Sequence, residues 1–159
     1  MKITILAVGK IKERYLTDGI QEFLKRLTPF CKLQIQEIAE EKMPDNPSAA
    51  EKAKTLEREG ERLLKAVRHG SHLIVLDVDA KQVASEELAE KLDQLALSGQ
   101  SDITFLIGGA FGLSPQVRAA ANERLSFSKL TFTHQMIRLL LVEQIYRAYK
   151  ISRGEPYHW

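Results

Sequence analysis

Five short, mostly apolar runs recur along this chain, and stretches with helical spacing separate them. The apolar runs are ITILAVG (3–9), LQIQEIA (33–39), HLIVLDV (72–78), ITFLIGG (103–109) and RLSFS (124–128). The helical stretches between them are 12–27, 48–68, 85–97 and 114–123. This alternation predicts βα units in a single α/β domain, residues 1–159, whose parallel sheet has helices on both faces.

Serine and proline residues mark where three of these helices begin. Ser48, Ser85 and Ser114 stand where an N-cap side chain is needed, and Pro115 suits the first turn of the helix that follows Ser114. We therefore expect the three serine hydroxyls to cap their helices.

The segment HQMIRLLLVEQIYRAYKIS (134–152) predicts a last helix that is apolar around most of its circumference. A helix of this kind must be buried on nearly all sides, within its own domain or against a partner. We therefore expect a homodimer. Glu143 and Arg147 are spaced i, i+4, which is favourable for an ion pair, and such a pair at the rim of an interface would be purely structural.

Composition excludes several classes of protein. With 44% hydrophobic and 28% charged residues, the chain is neither disordered nor fibrous. The single cysteine, Cys31, cannot form an internal disulfide, and no apolar run approaches the roughly 20 residues that span a bilayer. We expect a cytoplasmic protein without a membrane segment.

Charge is distributed unevenly along the chain. Residues 1–32 and 114–159 each carry four more basic than acidic residues, whereas residues 33–113 carry an acidic excess of six. If the two basic ends meet in space, they could contact phosphates. Ordinary solvated charge is the alternative.

The glycine-rich turn in LIGGAFGL (106–113) lets a ligand approach the backbone closely, but many such turns are only structural. The first strand lacks G-x-G-x-x-G, and neither a P-loop nor G-x-S-x-G occurs, so NAD, P-loop and α/β-hydrolase chemistry are disfavoured. His69 and His72 have no third ligand nearby, so we expect no metal site.

Four segments in order carry a more specific signal. MKITILAVGKIKERY (1–15), IGGAFGL (107–113), LSFSKLTFTHQMIR (125–138) and EQIYRAYKISRGEPYHW (143–159) resemble the SPOUT methyltransferases that methylate N3 of pseudouridine 1915 in bacterial 23S ribosomal RNA. The resemblance covers nearly the whole chain. Where the family usually has Pro-His, this chain has Thr133-His134, and the Thr133 hydroxyl could cap the last helix instead.

The resemblance implies a carboxy-terminal trefoil knot and a bent S-adenosylmethionine among the knot loops. The residues implied to bind it are Leu76, Gly108, Phe127, Ser128, Lys129, Leu130, Thr131 and Phe132. Leu76 and the phenylalanines would enclose the adenine, while backbone groups would form hydrogen bonds with its polar edge. Without the resemblance, Phe127, Leu130 and Phe132 could equally be ordinary core residues.

Methylation of an imide nitrogen requires loss of its proton, which calls for a base or a nearby cation. We assign catalysis to Arg147, Tyr157 and His158, although the tail could also be frayed. The RNA-binding candidates, Lys10, Lys12, Arg14, His134 and Arg138, would contact 23S rRNA in the assembled ribosome, each dimer subunit completing its partner's site. A non-catalytic ribosome-associated RNA-binding protein and an enzyme using ATP or NAD are the alternatives.

Overall fold

Strands and helices alternate from one end of the chain to the other. The computed structural model describes residues 1–159. The elements are β1 (Lys2–Val8), α1 (Arg14–Leu27), β2 (Lys32–Ile38), α2 (Ala49–Ala66), β3 (His72–Leu76), α3 (Ser85–Leu97), β4 (Asp102–Ile107), α4 (Pro115–Ala120), β5 (Glu123–Leu125) and α5 (Met136–Ser152). The predicted βα rhythm is confirmed.

The five strands form one sheet in the order β2-β1-β4-β3-β5, and every pairing is parallel. Because the strands are parallel, their carboxyl ends lie at one edge, and the loops that leave them meet there. β3 and β4 end at Leu76 and Ile107, two residues earlier than the sequence predicts, and the residues beyond belong to these loops.

Each face of the sheet packs against its own set of helices. In β1, Ile3 and Ile5 face a core that also contains side chains of α1, α3 and α5. The intervening Leu6 and Val8 face a second core with α2 and α4. This alternation of side chains within a strand explains why the strands are apolar on both faces, and the predicted helices on both faces are confirmed.

The α5 helix is covered within one chain. It packs against α1 and α3, and no side chain from Met136 to Ile151 is fully exposed. Tyr146 lies near the centre of this packing, with its ring centroid 5.9 Å from that of Phe23 and 4.8 Å from that of Tyr157. Intrachain packing thus accounts for much of the apolar circumference, and the homodimer stays a prediction.

Two of the three predicted serine caps are confirmed. The Ser48 hydroxyl accepts a hydrogen bond from the Glu51 amide, and the Ser114 hydroxyl accepts one from the Val117 amide. The prediction for Ser85 is wrong. At the start of α3 the Glu87 carboxylate accepts the Ala84 amide, whereas the Ser85 hydroxyl donates to Gln144 of α5.

None of the five helices combines the length and the hydropathy that crossing a membrane requires.

We expect Gly60→Ala to destabilise the protein by about 1–3 kcal/mol, although alanine is the better helix former. The new Cβ would lie 2.5 Å from the Ser114 hydroxyl oxygen, across the contact between α2 and α4. Ser114→Ala alone should cost about 1 kcal/mol through loss of the cap. The double variant should be less destabilised than the sum of the two, because the clashing oxygen is gone.

Urea unfolding of the three variants measures this coupling. Gly19→Ala is the matched control, since its Cβ would meet only the flexible Leu139 side chain at 3.1 Å and should be tolerated better. Additive free energies for Gly60 and Ser114 would contradict the proposed contact.

Candidate functional site

A cleft of about 1000 Å³ opens at the carboxyl edge of the sheet, between the loops that follow β3, β4 and β5 and the beginnings of α1 and α5. Seven of the eight predicted cofactor residues line it: Leu76, Gly108, Phe127, Ser128, Leu130, Thr131 and Phe132. Lys129 is the one that does not. The cleft therefore unites residues that are separated by more than 50 positions in the sequence.

The glycine turn after β4 forms the floor of this cleft and folds back tightly on itself. A Cβ on Gly108 would lie 2.5 Å from the Gly112 carbonyl oxygen and 2.9 Å from a Leu113 methyl group. Gly112 has a φ of +91°, in the region that favours glycine. A larger residue at position 108 would force the turn to open, which explains why the segment LIGGAFGL has glycine at this position.

The loop after β5 presents apolar side chains to the cleft. Leu130 is 71% exposed and Phe132 is 41% exposed, so neither is an ordinary core residue. Phe127 is half-buried and packs against the main core. Serine hydroxyls hold the loop: Ser126 donates to the Ser128 carbonyl oxygen, and the Leu130 amide donates to the Ser128 hydroxyl. This loop is a formed wall for an apolar ligand surface.

Asp77, which sequence reasoning missed, anchors the wall beside β3. Its carboxylate is completely buried and accepts hydrogen bonds from the Asp79 amide, Arg118 Nε and Arg124 Nη1 at 3.0–3.1 Å. Burial opposes ionisation, but the amide and the two guanidinium groups outweigh it and hold the pKa of Asp77 below its ordinary value. An acid directly after a buried strand was the signal that could have found it.

A second missed carboxyl, Glu59 of α2, lies behind the glycine turn. Its Oε2 accepts a hydrogen bond from the Glu41 amide, and its Oε1 would lie 3.4 Å from a Cβ on Gly109. Burial, reinforced by the nearby Glu40 carboxylate, raises the pKa of Glu59 to about 7. The helical pattern gives no sign of this, because Glu59 sits among exposed acidic residues in the sequence.

His134 lies at the entrance to α5 and lines the cleft. Burial, together with the positive charge of Arg138, lowers the pKa of its imidazole, while Glu40 acts in the opposite direction. The ring is therefore neutral near pH 7 and has a nitrogen free to accept a hydrogen bond or a proton. Beside it the Thr133 hydroxyl accepts a hydrogen bond from the Met136 amide at the start of α5, whereas the N-cap position itself is Gln135, whose side chain makes no capping bond.

Arg138 does not form part of an exposed RNA-binding surface, so that prediction is corrected. Its side chain is completely buried; Nη2 donates to the carbonyl oxygens of Val8 and Gly9, and Nη1 donates to Glu37, all at 2.8 Å. A guanidinium group committed to three acceptors inside the protein cannot reach a phosphate. The residue instead ties α5 to the ends of β1 and β2.

The three predicted catalytic residues lie together around Glu143, which we call the tail cluster: Glu143, Arg147, Tyr157 and His158. Glu143 Oε1 accepts hydrogen bonds from Arg147 Nε at 3.1 Å and from the Tyr157 hydroxyl at 2.9 Å. Arg147 Nη1 lies 3.2 Å from His158 Nδ1, and His158 Nε2 lies 2.8 Å from Glu86. The tail is therefore packed onto α5 and α3 in the structure.

Electrostatics distinguishes the members of the tail cluster. Burial, followed by the hydrogen bond to Glu143, raises the pKa of the Tyr157 hydroxyl. The phenol therefore keeps its proton at neutral pH and acts as a donor. The Arg147 guanidinium lies 4.7 Å from the centre of the Tyr157 ring, a cation–π contact that fixes both groups.

The tail cluster and the cleft do not meet within one chain. No residue beyond Ile137 lines the cleft, and Arg147 lies ten residues further along α5, about 15 Å along the helix axis. The structure thus brings the predicted cofactor residues together and the predicted catalytic residues together, but keeps the two groups apart in a single protomer.

The remaining predicted RNA contacts lie on the rim of the cleft. Lys10 and Lys12 are exposed on the loop that joins β1 to α1, and Arg14 is exposed at the first position of α1; their neighbours Glu13 and Tyr15 line the cleft. The nearest acidic partner, Asp18, lies 3.7 Å from Arg14 in a pair that is exposed on both sides and therefore weak. The three cations are free to meet an anionic ligand.

The structure contains no group of three or more His, Cys, Asp or Glu side chains that could hold a metal ion. The Nε2 atom of His72, one of the two histidines considered as metal ligands, lies 2.9 Å from Glu123 Oε1.

A family model described as a predicted SPOUT methyltransferase matches residues 1–158 of the chain. The chain belongs to the SPOUT methyltransferase family. Two proteins named ribosomal RNA large subunit methyltransferase H are similar over 99% of this chain. That of Pelotomaculum thermopropionicum is 57% identical, with 98% of that protein covered, and that of Halothermothrix orenii is 56% identical, with 99% covered.

A protein of the same name from Clostridioides difficile is 52% identical over 99% of both chains. A solved structure of a probable methylase family protein from Haemophilus influenzae aligns over 96% of this chain and 66% of that chain, with a TM-score of 0.48 and 15% identity. The single α/β domain with its parallel sheet is that of a SPOUT methyltransferase, as the sequence predicts.

We expect Glu59→Gln to stabilise this SPOUT protein in a pH-dependent way. The unfolded chain releases this proton near pH 4.5, but the folded protein holds it to about pH 7, so wild-type stability falls as the pH rises through this window. Glutamine removes that loss and keeps an acceptor for the Glu41 amide. The gain should reach up to about 3 kcal/mol at pH 8 and vanish near pH 4.5.

Urea unfolding at pH 4.5, 6 and 8 tests this expectation, with Glu57→Gln on the exposed side of the same helix as the control. A gain of equal size at all three pH values would show that Glu59 does not titrate as described.

Proposed function

We propose that this protein transfers a methyl group from S-adenosylmethionine to N3 of a pseudouridine in 23S rRNA, at position 1915, on the assembled ribosome. The names of its relatives support ribosomal RNA as the substrate. The observation that carries the proposal is the cleft at the carboxyl edge of the sheet, which gathers seven residues implied by the family resemblance around one glycine turn.

The lining of the cleft fits S-adenosylmethionine. Leu76 and Phe127 supply apolar surface for an adenine ring, and the bare backbone at Gly108 admits a ligand at close range. The cofactor carries a sulfonium and an ammonium group, and Glu13, whose side chain is exposed, supplies a carboxylate at the lining of the same cleft. S-adenosylmethionine supplies an electrophilic methyl group; everything else is positioning and proton removal by the protein.

Arg147 is the residue best suited to favour the anionic form of the pseudouridine imide. Its guanidinium group is held by Glu143 and the Tyr157 ring, so it presents a positive charge in a fixed position. The Tyr157 hydroxyl donates its one proton to Glu143 Oε1, so Tyr157 caps the pocket and positions the Glu143–Arg147 pair. The neutral His134 in the cleft is able to take up the N3 proton. His158 would assist only after releasing a partner, because its Nδ1 contacts Arg147 and its Nε2 contacts Glu86.

These roles require a homodimer. Because the tail cluster lies far along α5 from the cleft of its own chain, a complete site needs the cleft of one protomer and the tail cluster of its partner. A C2 dimer would form two such composite sites. We place the carboxy-terminal trefoil knot implied by the resemblance in the same segment, where the loop 127–132 precedes α5.

The exposed cations on the β1–α1 loop give the dimer an electrostatic contact with rRNA phosphates next to the cleft. The footprint is small, so we expect weak binding to free RNA and methylation of assembled ribosomes. A ribosomal substrate places the enzyme in the cytoplasm.

Calorimetry with four ligands tests the cofactor assignment. S-adenosylmethionine and S-adenosylhomocysteine should bind, and ATP and NAD should not. Gly108→Ala should weaken donor binding at least about tenfold, because its Cβ pushes against the Gly112 carbonyl oxygen and opens the turn. Gly70→Ala, at a turn before β3 where the new Cβ meets no atom but the φ of +81° strains alanine, controls for general destabilisation away from the cleft.

Failure of the wild-type protein to bind either donor would contradict the proposal. Ribosome binding that persists without donor binding would favour a non-catalytic RNA-binding protein instead. Selective ATP or NAD binding would favour the nucleotide-dependent enzyme.

Mixed dimers test the composite site. A Gly108→Ala protomer paired with an Arg147→Ala protomer retains one intact cleft facing one intact tail cluster, and should show about half the wild-type methylation of ribosomes. A wild-type protomer paired with the double variant Gly108→Ala/Arg147→Ala retains no such combination and should be nearly inactive at a donor concentration too low to fill the Gly108→Ala cleft. Differently tagged, co-expressed chains provide both dimers.

The opposite pattern, with activity only in the second dimer, would place the whole site within one chain and overturn the proposed arrangement.

A further inference from the structure

Exposed apolar side chains are concentrated around the cleft. The structure exposes seven large hydrophobic residues, and four of them, Tyr15, Val78, Leu130 and Phe132, line this single cleft. Contiguous exposed apolar surface marks a place where something binds. Donor binding alone does not explain all of it, because a cleft of about 1000 Å³ is at the upper end of the range for one small ligand.

Tyr15 differs from the other three in its surroundings. It is 63% exposed on the first turn of α1, where the exposed Arg14 precedes it, and the exposed Lys10 and Lys12 lie on the preceding loop. An aromatic ring next to several free cations is the combination that binds unpaired nucleic acid, in which the cations meet the phosphates and the ring stacks on a base.

We propose that Tyr15 stacks on an unpaired base of the ribosomal RNA at the mouth of the cleft and thereby holds the target strand against the cofactor site. The inference rests on the proposed function. It assigns a substrate-binding role to a residue that the family resemblance did not single out and that the cofactor does not need.

The charges around Tyr15 favour RNA over a second copy of the chain as the occupant. Interface centres between proteins are depleted of charged residues. Here residues 10–14 carry three basic side chains and one acidic one, and only Arg14 lies near an acid, in an exposed pair. Covering this loop with an identical loop would bring like charges together, whereas a phosphate backbone would be attracted to it.

The role of the ring predicts different results for substitutions that keep the ring and substitutions that remove it. Tyr15→Phe keeps the π face and should leave the KM for ribosomes within about twofold of wild type. Tyr15→Leu and Tyr15→Ala lose it and should raise that KM by about five- to 150-fold, the range for one stacked base. Affinity for S-adenosylmethionine should not change. Leu97→Ala, an exposed residue at the far end of α3, is the control.

A photo-crosslinking aromatic residue at position 15 provides a readout that does not depend on activity. On ribosomes that lack the modification, it should crosslink to a 23S rRNA nucleotide near the methylated base, and the same residue at position 97 should not.

Two results would overturn the inference. One is methylation by the wild-type protein together with an unchanged KM for Tyr15→Leu and Tyr15→Ala. The other is a crosslink to the second protomer, accompanied by dissociation of the Tyr15→Ala dimer in sedimentation experiments. If wild-type protein binds no donor and methylates no ribosome, the proposed function itself fails, which is a distinguishable outcome.

Discussion

The buried guanidinium group of Arg138 determines where α5 starts, and the cleft depends on that position. Removing a charge from water costs several kcal/mol, and here the cost is offset by Glu37 and by the carbonyl oxygens of Val8 and Gly9. Those acceptors lie at the carboxyl ends of β1 and β2. The interaction therefore anchors the first turn of α5 to the sheet edge, and the loop from Phe127 to Thr133 must span the distance between β5 and that anchor.

The same anchor influences the chemistry of the cleft. The positive charge of Arg138 acts with burial to keep the His134 imidazole neutral, while Glu59 stays protonated to about pH 7 on the other side of the glycine turn. Asp77 remains ionised because two arginines and a backbone amide hold it. The walls of one cleft thus contain the Asp77 carboxylate and the neutral His134 imidazole, and the protonated Glu59 carboxyl lies behind them. Their protonation states differ because each group has different neighbours.

The sequence predicted the features that depend on local periodicity. It did not predict the role of a side chain whose hydrogen-bond partners lie far away in the sequence. The apolar pattern of β3 and β4 predicts buried parallel strands, and Ser114 followed by Pro115 predicts a helix start; both are present. The Ser85 hydroxyl was misassigned because α5, far away in sequence, offers it Gln144. Arg138 was misassigned because a basic residue in a helix gives no sign that carbonyl oxygens 130 residues away surround it.

The family resemblance, and not periodicity, indicated which loop residues share one cleft. The one visible departure from the family, Thr133 in place of proline, shows how the loop before α5 is held. Proline before His134 would fix the backbone covalently, whereas Thr133 accepts the Met136 amide through its side chain. Ser126 and Ser128 add two further hydrogen bonds from side chain to backbone within the same loop. Hydroxyl groups thus do here what a proline ring would otherwise do, so the loop is held in place without the proline.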